Sequence, residues 1–272
     1  MNAKYLLPAV VPILFSLSAK ADFLYALSSD TPGSLYTIDT ATGAATLVTD
    51  LSGDINTSLV DIASLNGVLY ADDVFAGSHL TFGTIDPATG AYTAINNQNG
   101  SSNWWSLAAD PLADLLYAVD INHSDNLVSI TPSGTITTIG SVGTAIADLA
   151  YDAADDILYG IGSSGILYTI NRSTGAATSI GSTGQTGSEL GLGYDANNGT
   201  LYLNNGVFHD FYSVNTSTGA ATLIGSNGVS AVIDGLADSV SAVPEPGTVA
   251  MTIAGIAAIV ARKWGSARRR RS

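Results

Sequence analysis

The chain has 272 residues, a formal net charge of −14, 46% hydrophobic residues and no cysteine. This is enough apolar material for a packed core, and the lack of cysteine excludes disulfides, thiolate metal sites and a cysteine nucleophile. Between Asp22 and Ala242 the sequence carries 22 acidic residues and one basic residue, Arg172. Such an acidic stretch repels phosphate backbones, so we expect no nucleic-acid partner.

Residues 1–21 have the organisation of a secretory signal peptide. Lys4 supplies the positive charge, Tyr5 to Leu17 the apolar stretch, and Ala19-Lys20-Ala21 a small-x-small cleavage site. An N-terminal membrane anchor is the alternative, but an apolar stretch of 13 residues is short for a span. We expect export and a mature chain that begins near Asp22.

Residues 22–242 consist of five repeats. Three match closely, with Leu-Tyr-Thr-Ile-Asp-Thr-Ala-Thr-Gly in the first, and two are looser. One glycine per repeat recurs every 41 to 47 residues, at Gly43, Gly90, Gly134, Gly175 and Gly219. Each of these glycines ends a predicted turn, and alternating apolar residues flank it. This pattern indicates a β-hairpin with glycine at positive φ. The period suits one four-stranded blade of a propeller.

An unpaired strand at each end of the repeats predicts how the fold closes. A three-residue motif such as Asp-Ile-Ala or Gly-Leu-Ala is predicted to form the strand nearest the propeller axis in each blade. This inner-strand motif begins at Asp61, Ser106, Asp148, Gly191 and Gly235. Its last copy lacks a following Leu-Tyr strand, whereas the first repeat opens with an orphan one, Phe23 to Leu27. Pairing the two would complete a fifth blade and remove both exposed edges. The sequence therefore predicts an all-β, five-bladed β-propeller closed by its N- and C-terminal strands, with a right-handed β-solenoid as the alternative.

Three aspartates lie at or beside the start of predicted inner strands: Asp61, Asp148 and Asp234. They are expected to project towards the central channel, where converging carboxylates would bind Ca²⁺. Solvated or backbone-capping aspartates are the alternative, since most other aspartates of the repeats fall at turn positions. The sequence contains no His-Glu-x-x-His, Gly-x-Ser-x-Gly or phosphate-loop motif, and we expect no enzymatic activity and no required cofactor.

The pair Trp104-Trp105 also departs from the repeat. Adjacent strand residues face opposite ways, so one indole is expected in the core and the other near a blade loop. An exposed indole can stack on a sugar face, which makes Trp104 and Trp105 the candidate ligand-binding residues. The alternative function is a secreted hydrolase or lyase that acts on polysaccharide through aspartates on the propeller face.

Residues 243–272 combine Pro244, Glu245 and Pro246 with an uncharged segment, 248–261, and six basic residues. A helix over that segment reaches about 21 Å, against about 30 Å of hydrocarbon core, so it is a marginal transmembrane span. The terminal cations would hold this end in the cytoplasm. A simple C-terminal anchor is one interpretation of this tail.

The tail resembles the PEP-CTERM sorting domains of Gram-negative bacteria, and the repeats are similar to those of secreted bacterial propeller families. The resemblance implies that an exosortase-type enzyme recognises Pro244, Glu245 and Pro246 and processes the tail. We therefore expect an inner-membrane intermediate, then a location at the cell surface or outside the cell. The expected function is binding or structural, in contact with extracellular polysaccharide.

Overall fold

The computed structural model describes residues 22–30, 33–55, 59–74, 79–99, 103–187 and 189–239. The predicted signal peptide (1–21) and sorting tail (243–272, with Pro244, Glu245, Pro246 and the segment 248–261) lie outside these ranges. Among the residues described, no helix has the length and apolar character needed to cross a membrane.

The described chain is almost entirely β-strand, with one short 3-10 helix at Ile121–His123. The strands of the first half are β1 (Phe23–Ser28), β2 (Ser34–Asp39), β3 (Ala45–Asp50), β4 (Ser52–Gly53), β5 (Leu59–Leu65), β6 (Val68–Val74), β7 (His79–Ile85), β8 (Ala91–Asn99), β9 (Ala108–Asp110), β10 (Leu115–Asp120), β11 (Asn126–Ile130) and β12 (Ile136–Ser141). The strands of the second half are β13 (Asp148–Asp152), β14 (Ile157–Ile161), β15 (Ile166–Ile170), β16 (Ala177–Ser182), β17 (Leu190–Asp195), β18 (Thr200–Asn205), β19 (Asp210–Val214), β20 (Ala221–Ser226) and β21 (Ile233–Asp238).

These strands form five antiparallel sheets, each of which is one blade. From the axis outwards, blade 1 is β21-β1-β2-β3, blade 2 is β5-β6-β7-β8, blade 3 is β9-β10-β11-β12, blade 4 is β13-β14-β15-β16 and blade 5 is β17-β18-β19-β20. The short β4 adds to blade 2 in parallel beside β8. The five inner strands contact one another in a ring. The chain is an all-β, five-bladed propeller, which confirms the predicted fold class.

Blade 1 closes the ring with strands from both ends of the described chain. β21 pairs antiparallel with β1, placing Leu24 opposite Asp238 and Leu27 opposite Gly235. The predicted pairing of the terminal strands is therefore confirmed. Because the orphan strand at each end becomes paired, the closure removes two edges that would otherwise be open to association.

The Thr-Gly turns of the repeat join neighbouring blades. In blade 4, the Asn171 Oδ1 atom accepts the backbone N–H groups of Ser173 at 2.9 Å and Thr174 at 3.1 Å. Gly175 then adopts φ +82°, and a Cβ atom there would lie 2.2 Å from the carbonyl oxygen of Gly140 in blade 3. Glycine at both positions therefore permits the turn to pack directly on the outer strand of the preceding blade.

The hydrophobic core lies in the seams between blades. One leucine in the second strand of every blade is at most 1% exposed: Leu24, Leu69, Leu116, Leu158 and Leu201. In the seam between blades 2 and 3, Phe82 packs with Trp104 and Leu107. The inner strand of blade 4, β13, is buried on both faces, whereas the outer strands β12 and β16 are exposed or half-buried along their length.

The ring has two faces that differ in what they carry. We call the face where the inner strands begin the mouth face. The opposite face, which we call the turn face, carries the ends of the inner strands and the Asp/Asn-x-x-Thr-Gly turns. Since β1 begins and β21 ends at the same level, Asp22 and Asp238 both lie on the turn face.

Candidate binding site at the channel mouth

A cavity of about 240 Å³ opens at the mouth face. Its lining residues are Ser29, Val60, Asp61, Trp105, Ala147, Asp148, Glu189, Leu190 and Asp234. Five of these occupy one repeat position, the residue before the inner-strand motif in each blade: Val60, Trp105, Ala147, Leu190 and Asp234. The wall therefore receives one side chain from every blade at this position, and four of those five side chains are apolar or aromatic.

The next residue of each inner strand forms a deeper layer, and two of its five members are aspartates. Asp61 accepts the backbone N–H of Ile62 at 2.8 Å and, across the seam to blade 3, that of Leu107 at 2.5 Å. Asp148 accepts the N–H of Leu149 at 2.6 Å and that of Leu192 in blade 5 at 2.5 Å. Each carboxyl group therefore joins two blades.

Asp61 and Asp148 also hydrogen-bond to each other across the channel and form the floor of the cavity. They are 1% and 2% exposed. Burial raises the pKa of Asp61 well above its usual range and the pKa of Asp148 to about 8. Two carboxyl groups in contact cannot both ionise readily, so the pair holds a shared proton at neutral pH.

A second carboxyl pair lies in the wall, where Asp234 hydrogen-bonds to Glu189 and lies beside Ser29. Burial, followed by the hydrogen bond and charge of Glu189, raises the pKa of Asp234 to about 8. The Oδ1 atom of Asp234 is buried and has no hydrogen-bond partner. Asp234 therefore keeps its proton at neutral pH, and its buried Oδ1 is one of the few polar atoms without a partner.

The structure brings the predicted calcium ligands Asp61, Asp148 and Asp234 to one cavity. No group of three or more His, Asp or Glu residues within the described ranges is arranged to hold a metal ion, however. Both oxygens of Asp61 and of Asp148 already accept backbone N–H groups, and burial favours their protonated forms. The geometry supports the backbone-capping interpretation of these two aspartates. It does not support the calcium hypothesis.

The two tryptophans have opposite environments. Trp104 is 0% exposed and packs edge-on against Phe82, with ring centroids 6.4 Å apart. Trp105 is 44% exposed and lines the cavity. The predicted division between a core indole and an exposed indole is confirmed, and its burial removes Trp104 from the candidate ligand-binding residues.

The sequence-based predictions did not include Glu189 or Asp72. The sequence alone could have pointed to Glu189, because it is the one glutamate between Asp22 and Ala242. Asp72 is 0% exposed; its Oδ1 accepts the N–H of Asp61 at 3.2 Å, and burial raises its pKa well above the usual range. No sequence pattern distinguishes Asp72 from an ordinary strand residue.

The fold and the cavity place this chain in the class of five-bladed propellers. It is similar to a chain in the crystal structure of a nidogen/laminin complex, with a TM-score of 0.53, 12% identity, and 80% of this chain and 85% of that chain covered. A Bacteroides thetaiotaomicron protein of unknown function has a TM-score of 0.50 and 17% identity, with 76% of this chain and 58% of that chain covered. No protein-family model and no curated protein matches the sequence. At these identities the similarity shows the fold alone.

Proposed function

We propose that the protein is an exported, surface-sorted propeller without catalytic activity that binds a ligand of the extracellular polysaccharide matrix in its mouth cavity. The observation that carries the proposal is the combination of the exposed Trp105 indole with carboxyl groups in one concave site. Aromatic faces stack on the C–H faces of sugars, and carboxyl groups accept hydrogen bonds from their hydroxyls.

The position of the described termini supports a surface-sorted role. β21 ends at Asp238 on the turn face, and the predicted sorting tail follows from residue 243. A tail held in the membrane would therefore leave from the side of the ring opposite the mouth. The mouth cavity would face away from the attachment point and stay accessible to polymers outside the cell.

Sorting is tested by replacing Pro244, Glu245 and Pro246 together with alanine and fractionating the cells. We expect the wild type to leave the inner membrane after processing by an exosortase-type enzyme and the variant to remain there. Equal membrane retention of both proteins would contradict processing.

Binding is tested with residues 22–242, which contain the complete closed ring, on a glycan array. We expect the wild type to bind at least one matrix glycan and Trp105→Ala to lose that binding. Phe208→Ala is the matched control, because Phe208 is 61% exposed but does not line the cavity. Loss of binding by the control alone would move the site away from the mouth.

The alternative, a polysaccharide hydrolase or lyase, is favoured by one observation: carboxyl pairs that keep a proton at neutral pH can serve as general acids. The same array glycans would then be shortened during incubation. Release of new reducing ends that depends on Asp234 would replace the binding proposal with the enzymatic one.

A further inference from the structure

The ionisable groups that line the mouth cavity are all carboxyl groups. Four carboxyl groups and the Ser29 hydroxyl line it, and the described lining residues include no lysine, arginine or histidine. Arg172, the one basic residue between Asp22 and Ala242, lies on the turn face. There it binds Asp110 at 2.7 Å and also Asp156. The mouth therefore has no cation of its own to balance its carboxyl groups.

The four carboxyl groups form two pairs at different heights, one in the floor and one in the wall. In a five-membered ring, blade 3 stands opposite the junction of blades 5 and 1. Trp105 of blade 3 is therefore across the cavity from Glu189 and Asp234. A ligand in the cavity has an indole face on one side and a carboxyl pair on the other, with the aliphatic Val60, Ala147 and Leu190 between them.

We propose that the mouth cavity binds a protonated amine, such as that of an amino sugar with a free amino group. This inference rests on the proposed function and names the ligand class of the same site. An ammonium group has three N–H donors, and the carboxyl groups of Asp234 and Glu189 supply acceptor oxygens in the wall of the cavity. Its charge is attracted to the face of Trp105. A Ca²⁺ ion would instead need six to eight oxygen ligands, which Asp61 and Asp148 cannot supply while they hold the blades together.

Binding of a cation should displace a proton from the carboxyl groups of the mouth. Asp234 faces Glu189, Asp61 and Asp148, and Asp61 additionally faces Asp72. Because all of these neighbours are acidic, a bound positive charge lowers the pKa of the pair that it contacts. Amine binding is therefore linked to the release of about one proton per ligand.

The test is isothermal titration of residues 22–242 at pH 6 with the tetramer of glucosamine and with its fully N-acetylated form. At this pH the amino groups are largely protonated, and Asp148 and Asp234, whose pKa values are raised to about 8, also hold their protons. The titration is repeated in buffers of different ionisation enthalpy, which reports the number of protons released. We expect the amine form to bind at least about tenfold more tightly than the acetylated form, with proton release.

Variants of the carboxyl groups test whether the charge of the amine contributes to binding. Asp234→Asn should weaken binding of the amine form about tenfold and abolish proton release, with Glu189→Gln as a second variant should the first not fold. Asp155→Asn, an exposed aspartate of the turn face, is the control and should change neither.

The outcomes separate this inference from the proposed function. Equal binding of the two tetramers, or binding without proton release, overturns the amine proposal but leaves saccharide binding intact. If neither tetramer binds while other array glycans do, the amine proposal again fails alone. If no glycan on the array binds, both proposals fail.

Discussion

The turn face and the mouth face of the same ring follow different rules. On the turn face, the side chains of Asp39, Asp86, Asn171 and Asn215 accept backbone N–H groups in the same way in four blades. On the mouth face, one repeat position carries five different residues, among them an indole and a carboxyl group. Repetition therefore marks the residues that build and join blades, and departure from it marks the candidate site.

The largest expected effect comes from a mouth residue that also joins blades. Asp148→Ala should lower the free energy of unfolding by about 4 kcal/mol, because it leaves the buried N–H groups of Leu149 and Leu192 without acceptors. Urea unfolding at pH 7 measures the change. Asp155→Ala, on the exposed turn, should change stability by less than about 0.5 kcal/mol. Similar small losses in both variants would show that Asp148 does not hold blades 4 and 5 together.

A turn-face glycine should have the next largest effect. Gly175→Ala should reduce the free energy of unfolding by about 3 kcal/mol, since the new methyl group strains a positive φ and meets the Gly140 carbonyl. Gly184→Ala is the matched control, with φ +77° and no atom within 4 Å of the added Cβ. It should lose only about 1 kcal/mol, and thermal or urea unfolding gives the difference. Equal losses would contradict a tight contact between the turn and the neighbouring blade.

The free energy of unfolding should fall as the pH rises, because the mouth face holds carboxyl groups with raised pKa values. The folded-state pKa values of Asp148 and Asp234 are about 8, above the value of about 3.9 for unfolded aspartate. The folded chain therefore holds more protons between these values, and its free energy of unfolding falls as the pH rises. For each proton that the folded chain retains up to about pH 8, we expect about 2 kcal/mol less stability at pH 8.5 than at pH 6.5, measured by urea unfolding. A weaker dependence in Asp148→Asn would assign the effect to the mouth, and a flat wild-type profile would contradict the shared protons.

The smallest effect should come from one copy of the repeated turn. Asn171→Ala removes the acceptor of the Ser173 and Thr174 N–H groups at an exposed site where water can replace it. We expect a loss of about 1 kcal/mol in urea unfolding and no change in glycan binding. A loss of binding would mean that the two faces are not independent.

The strands and turns that recur in every repeat could be predicted from the sequence. The contacts that form between blades when the ring closes could not. The hairpin of blade 4 was predictable, because alternating apolar residues and the Asn171-x-x-Thr-Gly turn define it locally. In blade 3 the inner strand β9 begins only at Ala108, two residues after the predicted start of the motif at Ser106, and Trp104 forms an isolated bridge to Asp120. Contact between carboxyl groups from blades 2 and 4 depends on ring geometry, which no local pattern encodes.

Closure of the ring by β1 and β21 also has a kinetic consequence. Leu24 and Asp238 must meet although almost the whole described chain separates them. Such long-range pairing is slow to form, and until it forms the edges of both strands are open to other chains. Blade 1 can therefore be completed only after β21 is available. The chain is most prone to aggregation before β21 has paired with β1. Shortening that interval, for instance by a circular permutation that joins β21 directly to β1, should speed folding.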